Sequence, residues 1–64
     1  MKLNDVLKVI SNKTTIHIYA DNKEIFCGYM AYIKRDDFMS KVGNYLNNKV
    51  YRINTVNDVI IIVC

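Results

Sequence analysis

Sixty-four residues make one small domain, 1–64. A chain of this length takes only about 60% of its unfolded surface out of water on folding. With 52% hydrophobic and 23% charged residues, a disordered chain is excluded, and so is a multidomain enzyme. The net charge of +3 admits an anionic partner. However, Ile, Asn, Lys and Tyr, which have A/T-rich codons, supply 29 of the 64 residues, so lysine content reflects base composition as well as contact chemistry.

The chain opens on a helical pattern. Leu3, Val6, Leu7 and Ile10 fall at i, i+3, i+4 and i+7, one stripe of a 3.6-residue period. Asn4 and Asp5 suit the positive end of a first turn, and Ser11-Asn12 closes the segment. Asn4 and Asp5 also interrupt any leader-like apolar region. The longest apolar run, Val59 to Cys64, is too short to span a bilayer as a helix, so a cytoplasmic protein is expected.

Thr14 to Ala20 alternates as a strand, with Thr14, Ile16, Ile18 and Ala20 on one face and Thr15, His17 and Tyr19 on the other. Asp21-Asn22-Lys23 has turn chemistry. Glu24 to Lys34 reads as a second strand, completing a hairpin, with Gly28 marking a bulge or a close backbone approach. Asp36 or Asp37 caps a short helix carrying Phe38, Met39 and Val42, with Gly43-Asn44 as its stop. Val50 to Thr55 and Val59 to Cys64 form a second hairpin around Val56-Asn57-Asp58. The expected fold is α+β in the order α-β-β-α-β-β: a single antiparallel sheet of two hairpins with short helices on one face.

Two of the four strands are apolar on both sides. Ile25, Cys27, Tyr29, Ala31 and Ile33 oppose Phe26, Met30 and Tyr32, while Val59, Ile61 and Val63 oppose Ile60, Ile62 and Cys64. A sheet with one wet face should alternate apolar and polar, and two short helices cannot shield both faces. Phe26, Met30, Tyr32, Ile60 and Ile62 are therefore the candidate protein-interface residues, for a homodimer or for another protein. Five tyrosines fit the same reading.

Candidate chemistry is sparse. His17 stands alone on its strand and reads as structural or solvated, with no Cys-His pairing visible in the spacing. Asp36 and Asp37, adjacent on a helix, point about 100° apart and do not form a carboxylate dyad. Cys27 and Cys64 read as reduced thiols, a bridge between them remaining open if their strands are neighbours. One histidine leaves a zinc site short of ligands, and two glycines provide no phosphate-cradling loop. No catalytic residue, metal, cofactor, small-molecule substrate or membrane contact is expected. The alternative to a protein-interaction module is a small basic nucleic-acid binder using Lys34, Arg35, Lys41, Lys49 and Arg52 with Tyr51 as a stacking ring.

The segments Met1 to Ile10, Thr14 to Tyr19 and Glu24-Ile25-Phe26-Cys27-Gly28-Tyr29 resemble short accessory proteins of phages and prophages from A/T-rich, low-GC bacteria. These share an "MKLxDLLKVI" helix, a "TxIxIY" strand and an "xxxFxGY" segment after a turn, and usually end in an alternating hairpin. The resemblance implies a protein that acts in the host cytoplasm by stoichiometric binding, inhibiting or modulating a host factor. Anti-CRISPR inhibition belongs to that class, but a net charge of +3 argues against the acidic DNA-mimic mode. The resemblance carries no catalytic residue.

Overall fold

The computed structural model describes residues 1–34, 40 and 42–64, with Lys34 in its backbone only. A one-and-a-half-turn helix, α1 (Leu3–Leu7), precedes four strands, β1 (Thr15–Ala20), β2 (Lys23–Tyr29), β3 (Arg52–Val56) and β4 (Val59–Val63), with 3-10 turns at Met30–Lys34 and Gly43–Tyr45. The strands form one sheet in the order β2-β1-β4-β3.

Each hairpin is antiparallel, but β1 and β4 meet in parallel at the centre, with Ile16 beside Ile60 and Ile18 beside Ile62. The sheet is mixed, which corrects the expected purely antiparallel arrangement. Hairpin signals are local, whereas the joint between two hairpins is a long-range choice. Here it places β4, the strand made entirely of β-branched residues, inside the sheet beside β1, where each has a strand on both sides. The expected second helix falls largely on residues 35–39 and 41, outside the described residues; Ser40 and Val42 within it are helical, and the 3-10 turns lie at Met30–Lys34 and Gly43–Tyr45.

The two hairpins close on the same chemistry. Asp21-Asn22 and Asn57-Asp58 all have positive φ, between 50° and 66°, as a two-residue turn compatible with strand twist requires. The second strand ends at Tyr29, not Lys34. A bulge shifts the ladder between Ile18 and Tyr19, so that Ile18 faces Phe26 while Tyr19 faces Glu24, leaving Ile25 unpaired. This bulge lies three residues before Gly28. Gly28 itself adopts φ +150°, a conformation side chains rarely take, where β2 turns into the 3-10 segment.

One face of the sheet is covered. Leu3, Val6 and Leu7 of α1, Met30, Ile33 and Val42 pack over Ile16, Ile18, Ala20, Ile25, Phe26, Ile62 and Cys64. The helix is shorter than its stripe; Ile10 still packs against the core from beyond its end. The amide groups of α1 are satisfied from outside: Asp5 accepts from the Lys2 N–H at 3.3 Å, and Leu3 and Asn4 donate to the carbonyls of Asn48 and Leu46. The amino-terminal turn is thus tied to the chain entering β3, which supplies the acceptors the helix itself lacks.

Candidate functional site: the open face of the sheet

The opposite face carries no covering layer among the described residues. The strand registers set its side chains in three rows. Glu24, Tyr19, Val63 and Arg52 form the first, Cys27, His17, Ile61 and Asn54 the second, and Tyr29, Thr15, Val59 and Val56 the third. Val59, Ile61 and Val63 run as an apolar stripe along β4, only half-buried, while Tyr29 and Val56 at the margins are exposed. An acid marks the β2 edge and a base the β3 edge.

The expected interface residues divide differently. Phe26, Met30 and Ile62 are within 4% of complete burial, so the chain's own helix and 3-10 segment consume them and they cannot also contact a partner. Ile60 is half-buried and packs against the core, and Tyr32 is exposed. In β4 the alternation holds, with Val59, Ile61 and Val63 turned outward. In β2 the bulge puts Ile25 in the core with Phe26, and Ile33 joins them from beyond the strand's end, leaving Cys27 and Tyr29 outside. Cys27 lies on the open face and Cys64 is buried with the core, both as free thiols, so the bridge is not formed.

Of the basic set, Lys49, Tyr51 and Arg52 are exposed around the start of β3. Arg35 and Lys41 lie outside the described residues, as does the side chain of Lys34.

On the β1–β2 half of the open face, the bulge assembles a polar constellation. Cys27 is directly across from His17, and its Sγ lies 3.2 Å from His17 Nε2. His17 Nδ1 is 3.6 Å from Glu24 Oε2, and the Tyr19 hydroxyl donates to the same oxygen at 3.3 Å. Partial desolvation pushes the Tyr19 phenol above its ordinary pKa, and the charge and hydrogen bond of Glu24 add to the shift, as does Cys27. Thiol, imidazole and carboxylate in this order are a nucleophile, a base and its orienting group, and equally a donor set for a borderline divalent cation.

Spacing alone conceals this cluster. In a hairpin closed by Asp21-Asn22 without a bulge, His17 would pair with Phe26 and Cys27 would fall across from Ile16. One extra residue at Ile25 brings histidine and cysteine together. Nothing in the composition around Ile25 signals it.

The chain matches no family model, and comparisons with curated proteins and with solved structures gave no significant match. No helix among the described residues is long and apolar enough to cross a membrane.

Proposed function

We propose that this protein is a small non-enzymatic interaction module that pairs with a second copy of itself through the open face of its sheet. The observation that carries the reading is the first row of that face, which runs from Glu24 at one edge through Tyr19 and Val63 to Arg52 at the other. A two-fold axis parallel to the strands, passing between β1 and β4, sets each Glu24 over the other copy's Arg52 and the two β4 stripes on neighbouring strands. The face is therefore self-complementary in both charge and apolar character.

Strand rise and spacing give it a footprint of roughly 300 Å² per copy. A standard interface covers about 800 Å² per partner, so the dimer is weak and concentration-dependent. For a phage or prophage accessory protein, as the resemblance suggests, the same stripe would engage a host factor in place of the second copy.

Light scattering over a concentration series, in the presence of a chelator, tests the pairing. The expected result is a rising mean mass that Ile61→Lys abolishes and that either Glu24→Arg or Arg52→Glu weakens. The double charge exchange restores it, because the pair is re-formed across the axis. A chain that stays monomeric at millimolar concentration, or a double variant no better than the single ones, overturns the reading.

A second reading is favoured by Tyr51, which is 76% exposed beside Arg52 and close to Lys49: a ring and two cations on one strand entry suit a single-stranded nucleic acid. Binding of a random oligonucleotide at low salt that falls steeply with added salt and is lost in Tyr51→Ala supports it. Absence of binding at low salt removes it.

A further inference from the structure

We infer that His17, Cys27 and Glu24 form a binding site for a divalent transition-metal cation, of which zinc is the chemical type. The three donors come from two neighbouring strands, and one ligand atom from each lies within 4.8 Å of the other two. Zinc–sulfur bonds of about 2.3 Å and zinc–nitrogen bonds of about 2.05 Å at a tetrahedral angle put those two donors about 3.6 Å apart. The Sγ to Nε2 distance of 3.2 Å needs only a small opening to admit the ion.

Glu24 completes the set. Its side chain is 44% exposed and that of His17 is 30% exposed, so both can adjust without disturbing the core. The carboxylate lies 3.6 Å from Nδ1, the ring nitrogen other than the one that faces Cys27, with Tyr19 holding the same oxygen. It reaches the ion by a side-chain rotation from within the 4.8 Å cluster. Such an outer hydrogen-bond donor fixes a metal-binding carboxylate in place.

Thiolate and imidazole together favour zinc-like ions over magnesium or calcium, which take oxygen ligands. On binding, the Cys27 thiol proton passes to buffer and the sulfur forms the metal bond. Three protein donors leave a fourth tetrahedral position for water. The site shares the open face with the proposed pairing, His17 lying beside Ile61 in the register and Glu24 belonging to both, but the inference rests on the donor geometry within one chain and not on the pairing.

The test uses the full chain, freed of metal, titrated with zinc against a chromophoric chelator and with cobalt for its spectrum. The expected result is one equivalent bound, with an intense thiolate-to-cobalt charge-transfer band in the near ultraviolet. Cys27→Ser removes that band, His17→Gln and Glu24→Gln each weaken zinc binding at least about ten-fold, and magnesium does not compete. Cys64→Ser leaves the band intact. Zinc also slows alkylation of Cys27 by iodoacetamide.

Arg52→Glu, which weakens the proposed pairing from the β3 edge, retains the metal site, so the two readings fail separately. Cobalt binding without a charge-transfer band, a band that survives in Cys27→Ser, or zinc affinity unchanged in a folded His17→Gln overturns the inference. Circular dichroism of each variant establishes that it is folded, as expected at His17, Glu24 and Cys27 on the open face and checked separately for the buried Cys64.

Discussion

The two hairpins are built alike and buried unlike. Both close on a two-residue Asx turn and both contain alternating β-branched strands, yet β1 alternates half-buried and buried along its whole length while every residue of β3 is exposed. The difference lies in position. β1 has a strand on each side, and the layer made by α1, the 3-10 segment and Val42 packs over its inward face; β3 is an edge beyond the reach of that layer. Ile53 points to the same side as Ile62 and still remains 47% exposed. Burial in so small a domain is a property of the cover as much as of the strand's own pattern. The β3–β4 hairpin contributes one fully buried isoleucine, Ile62, and a great deal of surface.

Truncating one isoleucine in each hairpin gives the largest contrast. Ile18 is fully buried, and Ile18→Ala should cost about 2–5 kcal/mol. A core of this size rarely supplies more than about 3–5 kcal/mol in total, so that variant should be largely unfolded at 25 °C. Ile18→Val, at about 1 kcal/mol, should lower Tm by about 4–8 °C. Ile53→Val should stay within about 0.5 kcal/mol of the parent. Urea denaturation of the three variants measures this directly, and equal losses at positions 18 and 53 would break the distinction between the hairpins.

A smaller effect is expected at the turns. Asn22 and Asp58 hold φ of 64° and 66°, a region that costs most side chains about 1–2 kcal/mol and Asn or Asp less. Asn22→Gly and Asp58→Gly should each stabilise by up to about 1 kcal/mol, since Asp-Gly and Asn-Gly are the favoured pairs in such turns. The gain at Asn22 should appear fully in global stability, because the first hairpin holds most of the core. The gain at Asp58 should be accompanied by slowed amide exchange in β3. A loss of stability at either position would contradict the turn geometry.

Much of the architecture was legible in the residues, and the limits follow a physical pattern. Helix stripe, turns and strands come from interactions within a few positions, so Leu3, Val6 and Leu7, the alternation of Thr15 to Ala20 and both Asx turns could be read directly. The apolar excess on both sides of β4 leaves Val59, Ile61 and Val63 half-buried on a face with no covering layer among the described residues. Which side became the outer one depended on where α1 and the 3-10 segment came to rest, a choice made between elements far apart in sequence. Phe26 and Ile61 consequently exchanged roles, Phe26 going inward and Ile61 outward. The His17–Cys27–Glu24 cluster depends on a single unpaired residue in β2, and a bulge leaves no trace in an alternating apolar run.

The smallest expected contrast is in alkaline pH. Burial pushes the Cys64 thiol above its ordinary pKa, with the Asp21 carboxylate adding to the shift, and the Tyr19 phenol is raised by desolvation and by Glu24. Both are acids that the folded chain deprotonates less readily than the unfolded one. Below their ordinary values both states are protonated and stability is unaffected. As pH rises past the ordinary value, the unfolded chain loses its proton first and stability falls until the folded group also titrates. A thiol's ordinary value lies below a phenol's, so the decline should come in two stages, Cys64 first and Tyr19 second. Denaturation midpoints measured from about pH 7 to about pH 11 should show the first stage disappear in Cys64→Ala and the second shrink in Tyr19→Phe. The two groups lie on opposite sides of the sheet, so removing one should leave the other's stage in place. A single slope that both substitutions alter equally would mean that the covered and open faces do not titrate independently.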